Sequence, residues 1–150
     1  SYFLEAEKVE KDNIYTLTYI GHSYLDLNEF DKALNYYYKV EFLAIENKKV
    51  LRPIAWCSFV LGKLENAKKY YERLIEDQAN KYDFMNMGHV EWCLGNHQSA
   101  IKNYKLSVNR GDKNFRSFQQ GFEEDKRYLI TNGIDPKEIP LMLDYLKYQF

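Results

Sequence analysis

LRPIAWCSFVLGKLENAKKYYERL, Leu51–Leu74, is the stretch whose reading decides the fold. Apolar residues recur at separations of three and four on either side of Leu61-Gly62-Lys63-Leu64. That spacing predicts two amphipathic helices joined by a turn at a glycine. The first helix carries Ile54-Ala55 and the second Ala67, Tyr71 and Leu74. The arrangement recurs upstream as Leu17, Ile20-Gly21, Tyr24, the turn Leu27-Asn28-Glu29-Phe30, then Ala33, Tyr37 and Val40. Downstream it recurs as Phe84, Met87-Gly88, the turn Leu94-Gly95-Asn96-His97, then Ala100, Tyr104 and Ser107. Ala33 to Ala67 is 34 residues and Ala67 to Ala100 is 33.

Each recurring residue has a physical reason. A small residue in the first helix (Gly21, Ala55, Gly88) and an alanine in the second (Ala33, Ala67, Ala100) let two helix axes approach closely. A larger side chain there would wedge them apart. Large neighbours such as Ile20 and Tyr37 then interlock across the contact. One such pair of helices cannot cover its own apolar face, so stability must come from stacking pair on pair. These residues resemble the tetratricopeptide repeat: an aromatic or Leu, a Leu-Gly pair, a Tyr, then Ala and an aromatic. The resemblance covers roughly residues 14–113. It implies an all-α fold, a right-handed superhelical solenoid of antiparallel helix pairs. The chain departs from the pattern where Ile45, Ala79 and Asp112 stand in place of a closing proline, and where Ser58 and Glu91 replace the first helix's aromatic. Pro53 falls at or near the start of the second repeat's first helix, which it is expected to shorten or kink.

The domain organisation expected is a single domain. Residues 1–12 read as the second helix of an incomplete upstream repeat, because subtracting 34 from Tyr37 and Val40 gives Phe3 and Ala6. Repeats follow at 14–47, 48–80 and 81–113, and capping helices at 114–150. Phe3 and Val9 would leave an unpaired apolar surface, expected from a cut out of a longer array or covered by self-association through the N-terminal helix. Phe115, Phe118, Phe122 and Leu129, with Gly121, read as a degenerate fourth first helix. Asn132-Gly133 should stop it, and Asp135-Pro136-Lys137-Glu138 should start a last helix with Ile139, Met142, Leu143 and Leu146 inward.

Composition narrows the function. Lys and Arg number 21 against 22 Asp and Glu, a formal charge of −1, so no field draws a polyanion. Nucleic acid and anionic membrane are not expected partners, and no apolar run reaches the roughly 20 residues of a membrane span. Two cysteines, Cys57 and Cys93, make neither a disulfide scaffold nor a metal knuckle, which fits a reducing, cytoplasmic setting.

In proteins with this repeat the first helices line a concave face, and the resemblance places inward the residues three before, one after and four after each small residue. Those are Thr18, His22 and Leu25, then Arg52, Trp56 and Phe59, then Met85, His89 and Trp92, with Tyr15, Lys49 and Tyr82 extending the floor. The expected site is an aromatic groove for a peptide or protein segment with apolar anchors, centred on the row His22, Trp56, His89. The family's carboxylate clamp is absent, since its charge-assisted hydrogen bonds need cations and this sequence has Thr18, His22, Pro53, Tyr82 and Asn86 at those positions. The expected role is part of a larger scaffold or regulatory protein, with a small three-repeat secretion-type chaperone as the alternative. Neither catalysis nor any cofactor is expected. His89 and Cys93, four apart on one helix, would supply only two of the ligands that a metal needs.

Overall fold

The computed structural model describes the backbone of residues 2–150 and the side chains of Glu5, Lys8 and residues 13–150. The apolar surface expected from Phe3 and Val9 lies outside the described residues. Among the described residues nine α-helices follow one another and there is no strand. They are α1 (Tyr2–Asp26), α2 (Phe30–Leu43), α3 (Leu51–Val60), α4 (Leu64–Ile75), α5 (Lys81–Cys93), α6 (His97–Arg110), α7 (Phe115–Glu124), α8 (Lys126–Thr131) and α9 (Glu138–Lys147). The closest pairings are α1 with α2, α3 with α4, and α5 with α6, and α2–α3 and α4–α5 contacts stack the pairs on one another.

The turns inside the pairs repeat atom for atom. Asn28, Gly62 and Gly95 each adopt a positive φ, at 58°, 78° and 85°. The amide of the residue after each then donates back to the carbonyl of Tyr24, Ser58 or Glu91, at 2.9, 2.8 and 2.8 Å. This helix-ending motif satisfies a carbonyl that the helix would otherwise leave unpaired. Asparagine tolerates the left-handed backbone in the first turn, where glycine serves in the other two.

Within the first and third pairs a tyrosine ring sits on the residue that lacks a side chain. A Cβ built on Gly21 would lie 2.8 Å from Cε1 of Tyr37, and one built on Gly88 would lie closer still to the Tyr104 ring. Ala55 and Tyr71 hold the same places in the middle pair, and both are fully buried. Among the described residues Tyr37, Tyr71 and Tyr104 are the three bulkiest side chains wholly removed from solvent.

Polar residues at the departures from the pattern are paired. The buried Ser58 hydroxyl accepts from Asn66 Nδ2 at 2.8 Å, and the same amide reaches Tyr38 Oη at 2.7 Å. Buried Glu91 receives Lys68 Nζ at 3.2 Å and Asn96 Nδ2 at 2.8 Å, which ties α4 to α5. A buried carboxylate would be costly without those donors.

Two boundaries differ from the expectation. Residues 2–12 are not a separate helix, because α1 runs unbroken to Asp26. The segment between Ala6 and Asn13 contains no glycine or proline and is rich in good helix formers, so nothing local ends the helix there. The degenerate fourth helix is broken at Asp125 into α7 and α8. Pro53 shortens rather than kinks: α3 has 10 residues against 13 in α5, with a 3₁₀ turn at Lys48–Val50 before it. At the third position of α3 the proline removes an N–H that no helical carbonyl awaits. The stop at Asn132-Gly133 is as expected, with Gly133 at φ 101°. Ile139, Leu143 and Leu146 are buried along α9, and Met142 is half-buried.

The close approach makes a definite prediction. Gly88→Ala should lower stability by about 1–3 kcal/mol, even though alanine is roughly 1 kcal/mol the better helix former. Urea unfolding followed by circular dichroism checks it through a lower midpoint at unchanged slope.

Candidate functional site

The first helices α1, α3 and α5 present one row of side chains, and the chain's own C-terminal helices cover part of it. Phe122 of α7 packs edge-on against His89 at 4.9 Å between ring centroids and lies 5.2 Å from Tyr104 and 6.2 Å from Trp92. Gly121 comes so near Met85 that a Cβ would meet its Cε at 3.2 Å. Tyr128 of α8 stands edge-on to both Trp56, at 5.4 Å, and Phe30, at 6.2 Å. Asn132 Nδ2 donates to the carbonyl of Phe59 at 3.1 Å.

The expected groove residues therefore divide. Phe59, Met85, His89 and Trp92 are buried, and Trp56 is half-buried under Tyr128. The row His22, Trp56, His89 is not an open channel, which corrects the expectation. The positions taken from the family presuppose an uncovered inner face, and here α7 and α8 lie on it. Tyr15, His22, Lys49, Arg52 and Tyr82 are exposed, Tyr15 at 77% and Tyr82 at 54%, while Thr18 and Leu25 are half-buried.

Arg52 is exposed yet committed. Its Nε and Nη2 donate to the two oxygens of Asp83 at 2.7 and 2.8 Å. Asp83 is fully buried and also accepts from the Asn80 amide, closing a capping box at the start of α5. The guanidinium thus stitches α3 to α5 in fork geometry. Around the N-terminal end of the row, Ile14, Tyr15, Thr18, Tyr19, His22, Asn47 and Lys49 line an open depression of about 450 Å³. Ile14, Tyr19, which is 66% exposed, and Asn47 lie outside the expected groove residues. Tyr19 lies one helical turn after Tyr15, a spacing from which it could have been read. Asn47, which accepts from the Lys49 amide at 3.0 Å, sits outside any helix and left no periodic signal.

The repeated tyrosines expose a second departure. His22 Nδ1 and Tyr37 Oη are 2.7 Å apart, and His89 Nδ1 and Tyr104 Oη are also 2.7 Å apart. In both pairs the tautomer with Nε2–H lets the hydroxyl donate to Nδ1; in the second, Nε2 then donates to Asp125 Oδ2 at 3.2 Å. Trp56 stands at the corresponding place in the middle pair, and an indole offers no acceptor. The Tyr71 hydroxyl is accordingly buried without a hydrogen-bond partner; Asn86 lies near enough to favour its ionised form but not in hydrogen-bond geometry.

Burial pushes the thiols of Cys57 and Cys93 up to about 12, so neither is a nucleophilic thiolate near neutral pH. Among the described residues no three His, Cys, Asp or Glu side chains converge as metal ligands. His89 makes its two bonds to Tyr104 and Asp125. No helix among the described residues is long and apolar enough to cross a membrane.

The tetratricopeptide-repeat family model matches residues 16–41 and 54–76. Those two segments are tetratricopeptide repeats. Beyond the matched residues, α5 and α6 form a third tetratricopeptide-like pair with the same turn and the same tyrosine contact. No curated protein sequence matches the chain. Among solved structures, the crystal structure of MamA superposes with a TM-score of 0.65 over 99% of this chain and 88% of that one, at 17% sequence identity. At that identity the likeness is one of fold.

The unpartnered hydroxyl supplies the test of this geometry. Tyr71→Phe should leave stability unchanged or raise it by about 1 kcal/mol, whereas Tyr104→Phe, which strips the donor from His89, should lower it by about 1–3 kcal/mol. Chemical denaturation of the two variants side by side reads the opposite signs.

Proposed function

We propose that this chain binds a segment of another protein along the N-terminal part of the row, with Tyr15 and Tyr19 as anchors and His22 and Lys49 as polar handles. Tetratricopeptide repeats mediate protein–protein interaction, which sets the class. The observation that carries the finer reading is the position of the two tyrosines: each is more than half exposed, and both border the depression that α7 and α8 leave open. Tyrosine buries a large ring at small entropic cost and keeps a hydroxyl for directional contact, which is why it is enriched at interface centres. Among the described residues the lining carries the Lys49 ammonium and no carboxylate, so a segment with aromatic or aliphatic anchors and some acidic character suits it. Affinity in the micromolar range, about −8 kcal/mol, is in keeping with a short segment in a depression of this size.

Tyr15→Ala/Tyr19→Ala should keep the helical circular dichroism of the parent and weaken the captured partner by about thirtyfold or more, in line with roughly 2 kcal/mol for one hot-spot aromatic. Lys69→Ala/Glu72→Ala, at exposed positions on α4, should leave binding unchanged. Titration of the captured protein by calorimetry decides the matter, and the reverse pattern would reject this face.

A further inference from the structure

The covered part of the row has an occupant whose contacts can be read residue by residue. After Asp125 the chain begins a new short helix, and the segment Lys126–Ile134 brings Tyr128 and Asn132 onto the C-terminal half of α3 and the first residue of α2. This segment is attached by one face only. Tyr128 is held between Trp56 and Phe30, Leu129 is wholly buried, and Ile134 is 9% exposed. Asn132 donates to the Phe59 carbonyl, and its Oδ1 lies 3.3 Å from where a Cβ on Gly62 would stand. Lys126, Arg127, Ile130, Thr131 and Gly133 face solvent. An aromatic anchor, a buried leucine and a side-chain amide on the Phe59 carbonyl, which the Gly62 amide also reaches at 3.0 Å, are the contacts a helical ligand makes in a groove.

Two further observations separate this segment from an ordinary capping helix. Its helix has six residues, too short to persist without the surface beneath it. And its platform is the residue that breaks the repeat: Trp56 replaces the histidine of the flanking pairs and leaves Tyr71 with an unpartnered buried hydroxyl. A local loss of stability that gains a binding surface is the pattern of a functional position.

We propose that Lys126–Ile134 is an internal ligand of the inner face, and that a partner takes its place with a short amphipathic helix. That helix carries an aromatic residue, an aliphatic residue immediately after it and an Asn or Gln four positions after the aromatic, reproducing Tyr128, Leu129 and Asn132. The internal copy occludes the Trp56 platform until such a helix competes for it. This occupancy is separate from binding at Tyr15 and Tyr19, and either can hold without the other.

The probe is a fluorescein-labelled synthetic peptide of residues 122–135, added in trans to the full chain. The unaltered chain should bind it weakly, because the platform is filled. The Tyr128→Ala/Asn132→Ala chain should bind it at least tenfold more tightly, and adding Trp56→Ala should abolish that gain. Equal binding to the unaltered and doubly substituted chains, or binding to neither, overturns the proposal. Should the double variant lose its helical circular dichroism, native-state hydrogen exchange of the unaltered chain decides instead. Amides of 129–132 exchanging while α3 and α5 stay protected support an internal ligand, and exchange in one step with α3 and α5 overturns it.

Discussion

The fold depends on a tyrosine ring packed where the partner helix carries a glycine or an alanine. Tyr37 over Gly21 and Tyr104 over Gly88 set the distance between the two helices of a pair, and Tyr71 with Ala55 holds the same station between them. Because a Cβ at Gly21 or Gly88 would collide with the ring, the spacing of those two pairs is fixed by sterics before any polar interaction contributes. The fully buried Ala33, Ala67 and Ala100 serve the second helix of each pair in the same way. Stacking then follows, since each pair leaves an apolar face that only a neighbour can cover.

On this frame, polar ties act at the seams. Arg52 with Asp83 and Lys68 with Glu91 join the second pair to the third, each bringing a charge to a buried carboxylate. Burying such a carboxylate alone would cost several kcal/mol, so these bridges fix register more than they add stability. The His–Tyr bonds work inside pairs, and the one pair that lacks the bond is the pair carrying Trp56. Structural economy is relaxed at one station of the row, and the C-terminal segment meets the chain there.

What the sequence reveals follows from how local each determinant is. The pairs, the turns at Gly62 and Gly95 and the stop at Asn132-Gly133 depend on residues within a few positions of one another, and they are legible in the periodicity. The course of the chain after Glu124 is not local. Asp125 is an unremarkable helix residue until its carboxylate finds His89, which is 36 positions away, and Asn132 finds the Phe59 carbonyl across 73 positions. Phe59, Met85, His89 and Trp92 were assigned to the groove by family position, and the residues that cover them belong to that return of the chain. Tyr15, His22 and Lys49 remain exposed at the N-terminal end of the row, where they border the open depression.

Thermal unfolding of Ala67→Asp, followed by circular dichroism, tests the dependence on close helix approach most directly. Ala67 is fully buried in the second helix of the middle pair, so a carboxylate there has neither space nor water. The account predicts loss of more than about 4 kcal/mol, seen as a collapse of the cooperative transition at ordinary temperature. A melting temperature close to that of the unaltered chain would contradict it.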